Sequence, residues 1–190
     1  MPAVRMFQVI LTALVAQGIA AQTAPTGSTS HAAYVVTEEI SLAMNKAQII
    51  QALPDAWGVS FAQEPGAHLG PVDVEGGIAE GQARVNYRSK LLTGREETMG
   101  TITYRVTIQA HNGRCIVRVH DLRHTGNRNA IGGGIHAGPI LEGTAPDEGY
   151  PGMGLGSSRR IHADIRGAAD ARIRETIRRF AGRLRTLAGE

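Results

Sequence analysis

The side chains best suited to chemistry in this chain are histidines, arginines and the backbone of two glycine-rich runs. His120 and His124 stand four apart with Asp121 between them. On a helix that spacing sets two imidazoles on one face, as zinc sites use. Here the pair leaves a strand, where residues four apart share a face but lie about 13 Å from each other. The expectation is one exposed sheet histidine and one loop histidine, with no metal. Gly132-Gly133-Gly134 and Gly152-Met153-Gly154-Leu155-Gly156 match phosphate-cradling loops in glycine content alone. The second leads into a helix beside Arg159 and Arg160, and helix N-termini favour anions. No strand precedes it, however, and neither G-x-G-x-x-G nor G-x-x-x-x-G-K-[ST] is present. Gly154-Leu155-Gly156-Ser157-Ser158 is not a G-x-S-x-G nucleophile elbow, and Glu38-Glu39 and Glu96-Glu97 read as solvated charge. The chain therefore offers no local catalytic motif and calls for no cofactor.

Three alternating segments carry more. Gln82 to Lys90 places Ala83, Val85 and Tyr87 on one side and Arg84, Asn86 and Arg88 on the other. Thr101 to Ala110 sets Ile102, Tyr104, Val106 and Ile108 against Thr103, Arg105, Thr107 and Gln109, and Cys115 to Leu122 sets Cys115, Val117 and Val119 against Ile116, Arg118 and His120. A period of two marks half-buried strands. If their apolar sides share a core, then Arg84, Asn86, Arg88, Thr103, Arg105, Thr107, Arg118 and His120 form a wet, cationic platform. Guanidinium groups there would take carboxylates, phosphates or sulfates, each by two parallel hydrogen bonds.

The elements that must hold this platform follow from the same patterning. Tyr34 to Leu42 alternates as an opening strand. Asn45 with Gln48 reads as a capping box for a helix presenting Ile49, Ile50, Leu53 and Trp57, with a kink or end expected near Leu53 because of Pro54 and Gly58 as a stop. Val72 and Val74 suggest a short strand. Asn112-Gly113 lies between two alternating runs, the strongest short hairpin signal, for which both residues take positive φ. Residues 126–156 are glycine-rich and without periodicity, so disorder or a loosely packed excursion is expected. From near Ser158, with Ser157 or Ser158 as cap, Ile161, Ile165, Ala169, Ile173, Ile177, Phe180, Leu184 and Leu187 fall three or four apart, the stripe of a long amphipathic helix. Its arginines, Arg172, Arg174, Arg178, Arg179, Arg183 and Arg185, belong on the solvated side, although such a row also suits an anionic surface. The class is α+β: an antiparallel sheet of four to five strands with two helices on one face, in strand–helix–strands–helix order.

This pattern resembles a family of exported bacterial proteins with a TATA-binding-protein-like fold, catalogued as domain-of-unknown-function family 4468. The resemblance rests on Tyr34-Val35-Val36, on the capped helix ending at Trp57, and on Gly77-Ile78-Ala79-Glu80-Gly81 ahead of Arg84-Val85-Asn86-Tyr87. It continues through Gly100 to Ile108, Asn112-Gly113-Arg114, Ile116-Val117-Arg118-Val119 and the closing helix from Ile161 to Leu184. It spans roughly Tyr34 to Leu187, and residues 126–156 fit it least. The resemblance implies a fold and export, and carries no activity and no catalytic residues.

The first residues also point to export. Arg5 precedes the uncharged run Met6 to Ala16 and the small residues Gly18-Ile19-Ala20-Ala21, the layout of a secretory leader over 1–21. A flexible arm over 22–32 and a single domain over 33–190 would follow. The apolar run is shorter than the roughly 20 residues of a membrane span, and no later segment reaches that length. Cys115 is the sole cysteine, so neither an internal disulfide nor a lipid anchor after the leader is expected. Cys115 reads as a buried apolar residue. The net charge of +3 is uneven, with nine arginines against Asp164, Asp170, Glu175 and Glu190 after residue 158. That asymmetry hints at an anionic partner, though not a nucleic acid. Together these features predict an exported periplasmic or secreted domain that binds an anionic ligand or envelope protein without catalysing a reaction. The alternatives are an envelope enzyme of the hydrolase class, using the glycine-rich loop with His120 or His124, and an assembly subunit pairing through sheet edges.

Overall fold

The structure, a computed structural model, describes residues 31–91, 98–130 and 133–190. The leader, most of the arm, the Glu96-Glu97 pair and Gly132 lie outside the described residues. Strand β1 (Val36–Ser41) leads to helix α1 (Lys46–Gly58) and a short 3-10 turn at Phe61–Gln63. Strands β2 (His68–Asp73), β3 (Ile78–Arg88), β4 (Met99–His111), β5 (Arg114–Gly126) and β6 (Gly138–Pro139) follow, and helix α2 (Leu155–Ala188) closes the fold. The strands form one six-stranded sheet in the order β1-β5-β4-β3-β2, with β6 also pairing on β5. Every pairing is antiparallel. The expected α+β architecture is present with six strands rather than four to five. The extra strand comes from the segment read as a loop.

Local chemistry explains the element boundaries. Asn45 caps α1 in both directions: its side chain accepts from the Gln48 N–H, and the Gln48 side chain accepts from the Asn45 N–H, each at 2.9 Å. Pro54 does not end this helix. It stands on the exposed side while Leu53, Ala56 and Trp57 are held in the core, so packing outweighs the lost hydrogen bond. Between β4 and β5 only Gly113 takes a positive φ, against the expectation for both turn residues. Asn112 instead turns its Oδ1 to the Lys46 N–H at 2.9 Å, which ties the hairpin to the start of α1.

Both helices lie on one face of the sheet. Ile49, Leu53, Trp57 and Phe61 from the first half meet Ile161, Ile165, Ile173, Phe180 and Leu184 from α2 over Ile102, Val106, Ile108, Val117 and Val119. Each such aliphatic side chain contributes about 1.5–3 kcal/mol by leaving water. Trp57 stacks on Phe61 at 4.8 Å, and Phe61 meets Phe180 edge-on at 5.9 Å. The indole lies so close to β3 that a Cβ on Gly81 would come within 2.4 Å of it, so position 81 must be glycine. Cys115 is buried as expected, and burial pushes its thiol up to about 12.

The described residues from 133 to 156 do not form the loose excursion expected of this segment. Gly126 completes β5, and β6 pairs with Arg123 and His124. Ile140 and Tyr150 enter the core, and the Tyr34 N–H donates to the Ile140 carbonyl. Isolated apolar residues among glycines give no period, so only tertiary contact reveals their role. Helix α2 also begins earlier than Ser158. Gly154 is its N-cap, and Ser158 is buried, with its Oγ accepting the Tyr150 N–H at 2.8 Å. Leu187 falls off the buried stripe and is exposed. No described helix is long and apolar enough to cross a membrane.

Candidate binding face

On the sheet face away from the helices most described side chains are exposed, and they form rungs across three strands. Arg84 stands opposite Thr103, which stands opposite Arg123. On the next rung Gln82 faces Arg105, which faces His120. On the next, Glu80 faces Thr107 and Thr107 faces Arg118, with Thr37 of β1 beyond. Neighbouring strands are about 4.8 Å apart, so the backbones of Arg84 and Arg123 flank Thr103 at roughly 10 Å separation. Arg105 occupies the adjoining rung.

Little on this face neutralises the arginines. Arg105 has Asp121 at 3.9 Å with both side chains mostly exposed, and Arg114 has Glu39 at 3.4 Å. Contacts of that kind are worth about 0–1 kcal/mol, too little to compete with a good ligand. Among the described residues Arg84, Arg88, Arg118 and Arg123 have no carboxylate partner. Helix α2 differs. Arg172 and Arg179 bind the buried Glu64 at 2.9 and 3.5 Å, Arg183 binds Asp55 at 2.6 Å, Arg178 binds Glu175 at 2.6 Å, and Arg174 binds both Glu38 and Asp170. Arg159, near the helix start, donates to the Pro146 carbonyl. The helical arginines that suited an anionic surface in sequence are therefore mostly engaged within the fold.

Two adjoining hollows mark the centre of the sheet face. The first encloses about 290 Å³ and is lined by His68, Gly70, Glu80, Gln82, Arg105, Thr107 and His120, among others. The second encloses about 270 Å³ between Gly66, Arg84, Thr103, Arg105 and Asp121. Gln82 and Arg105 belong to both. Of the residues expected on the platform, Arg84, Thr103, Arg105, Thr107 and His120 line these two hollows. Asn86 lines a third at the end of the sheet, with Thr101, Thr125 and Arg128. Arg88 and Arg118 share the face but stand outside all three.

A bulge in β5 separates His120 from His124. The register shifts by one residue between Thr103 and Arg105 of β4, and Asp121, the extra residue, has φ 55°. Past a bulge the side-chain alternation inverts. His120 therefore stays on the outer face, and His124 turns into the core at 2% exposure. They do not share a face, as four strand residues would. His120 is fixed by its neighbours, with Nε2 3.0 Å from Thr107 Oγ1 and Nδ1 3.3 Å from Asp121 Oδ2. His124 accepts the Ala137 N–H on Nδ1 at 3.3 Å, packs edge-on against Tyr87 at 5.3 Å, and leaves Nε2 without a partner. Burial, then the nearby His136 and His162, lower its pKa to about 4. The glycine-rich segment thus meets His124 on the inner side, which leaves it and His120 on different sides of the sheet. Among the described residues no group of histidine, cysteine and acidic side chains is arranged to hold a metal.

Sequence reasoning missed Arg123 and Asp121, which reach the outer face only through the bulge. The three-residue step from Val119 to Leu122, where two were due, is the signal that marks it. It also missed His68, Glu80 and Gln82, which join the site through the pairing of β2 with β3.

No family model matches this chain, and no curated protein matches it. Among solved structures it is similar to a DUF4468 family protein from Bacteroides ovatus, with 18% identity, 50% of this chain and 57% of that one covered, and a TM-score of 0.40. It is also similar to a TBP-like protein from Parabacteroides distasonis, with 14% identity, coverage of 49% and 57%, and a TM-score of 0.37. A third is the Zhui aromatase/cyclase from Streptomyces sp. R1128, with 9% identity, coverage of 82% and 93%, and a TM-score of 0.37. The matches span just over half the length of the first two proteins, and the family that the sequence pattern resembles is represented among them.

Proposed function

We propose that this chain is an exported recognition domain that holds an anionic partner on the outer face of its sheet. The observation that carries this reading is the arginine set Arg84, Arg105 and Arg123. It spans three adjacent strands, Arg84 and Arg105 border the hollows, and among the described residues the set meets one weak ion pair. Guanidinium groups on a rigid sheet are preorganised for planar anions, since little side-chain freedom beyond their own is lost on binding. The basic, apolar and small-residue order of residues 5–21 supports export.

Retention on immobilised heparin, a sulfated polysaccharide, tests the reading. The triple variant Arg84→Ser, Arg105→Ser, Arg123→Ser elutes at clearly lower salt than the parent chain. A control triple of equal charge, Arg178→Ser, Arg183→Ser, Arg185→Ser, elutes near the parent. Equal losses in the two triples would mean that net charge alone drives retention, and the proposal would fall.

A further inference from the structure

The first hollow carries opposite charges at its two ends, and they do not neutralise each other. Glu80 faces Thr107 and Arg105 faces Gln82, which makes Glu80 and Arg105 diagonal neighbours, with Cα atoms about 7–8 Å apart. Arg105 nevertheless turns toward β5, where its ion-pair partner is Asp121. The bulge that sends His124 inward is what brings Asp121 within reach. Glu80 has no cationic partner among the described residues. The Gln82 amide flanks Arg105 on the β3 side, and the imidazole of His120 flanks it on the β5 side, its ring held by Thr107 and Asp121. The far wall belongs to β2. Its ladder with β3 breaks between Leu69 and Val72, and Pro71 has no N–H with which to rejoin it. Gly70 borders the space without filling it.

We propose that this hollow binds a small zwitterion of the amino-acid or short-peptide class, with its ammonium on Glu80 and its carboxylate on Arg105. Arg105 keeps N–H donors free beyond the one near Asp121, and a carboxylate fits the guanidinium fork by two parallel bonds. A volume near 290 Å³ sits at the lower end of ligand pockets, which suits one or two residues of peptide and excludes larger molecules from full contact. The inference rests on the outer face being a recognition surface, and it names one occupant for part of that face.

Calorimetric or NMR titration with dialanine, N-acetyl-dialanine and dialanine amide tests it. Free dialanine binds, and capping either end weakens binding about tenfold, the loss of one charged hydrogen bond. Glu80→Gln abolishes the discrimination against the acetylated peptide and keeps that against the amide. Arg105→Gln does the reverse. A purely structural role for either residue would not produce this crossed pattern. Failure of dialanine to bind, or equal binding of all three peptides, would overturn the inference. Heparin retention reports the broader reading separately, because Arg84 and Arg123 do not line this hollow. Retention that survives while dialanine fails sinks only the zwitterion assignment. Retention lost equally in both charge triples sinks the broader one.

Discussion

Helix α2 and the outer face of the sheet are both rich in arginine, yet the fold uses the two sets in opposite ways. On α2 the guanidinium groups close onto carboxylates of other elements: Glu64 after the 3-10 turn, Asp55 of α1 and Glu38 of β1. The pairs on buried Glu64 tie α2 to the end of the 3-10 turn, while the more exposed pairs at Asp55 and Glu38 occupy their guanidinium groups at about 0–1 kcal/mol each. On the sheet the guanidinium groups are exposed and, among the described residues, have weak partners or none. The difference teaches that charge in a composition table says nothing about availability. Arginine left uncompensated on a rigid surface is the set that can recognise something else, while arginine already paired contributes to stability.

The contrast breaks first at Glu64. Its side chain is 3% exposed and serves Arg172, Arg179 and the Thr176 hydroxyl. Its removal takes charged hydrogen bonds from two arginines and the Thr176 hydroxyl, together worth about 3 kcal/mol, so urea unfolding should show Glu64→Ala destabilised by that order. Arg118→Ser, on the exposed face, should change stability by less than about 0.5 kcal/mol. Comparable losses at the two positions would erase the distinction between structural and available charge.

The two histidines of β5 sharpen the same contrast on a somewhat smaller scale. His124 has a folded pKa of about 4 against about 6.5 for the unfolded chain. The unfolded state therefore binds the proton more readily, and stability falls as pH drops below 6.5, down to the folded value. The expected loss between pH 7 and pH 4.5 is roughly 2.5 kcal/mol. Urea midpoints measured across that range should decline steeply in the parent chain and clearly less in His124→Gln. An identical decline in both would place the acid sensitivity elsewhere.

How far the sequence reaches is set by where its periods hold. On β3 and β4 the alternation runs unbroken through Arg84, Asn86, Thr103, Arg105 and Thr107, and each of these residues lies on the face that its parity assigns. The capping box of α1 and the stripe from Ile161 to Leu184 were legible for the same reason: short-range geometry fixes them. On β5 the parity holds only to His120. A bulge is a tertiary choice made against β4, so the fates of Asp121, Arg123 and His124 are hidden unless the Val119–Leu122 step is read as an interruption. The hollows were less legible still, because their walls come from β2, whose ladder is broken and whose sequence scarcely alternates. Ile140 and Tyr150 lie among glycines and prolines, and only contact with β5 and α2 gives them a place.

The most direct test of the recognition face is residue-resolved NMR during titration of the isotopically labelled chain with long-chain inorganic polyphosphate at moderate salt. The amides of Arg84, Thr103, Arg105, Thr107, Arg118 and Arg123 should shift progressively, and those of Arg172, Arg174, Arg178 and Arg183 should stay in place. Shifts concentrated on α2, or spread evenly over every arginine in the chain, would contradict the account.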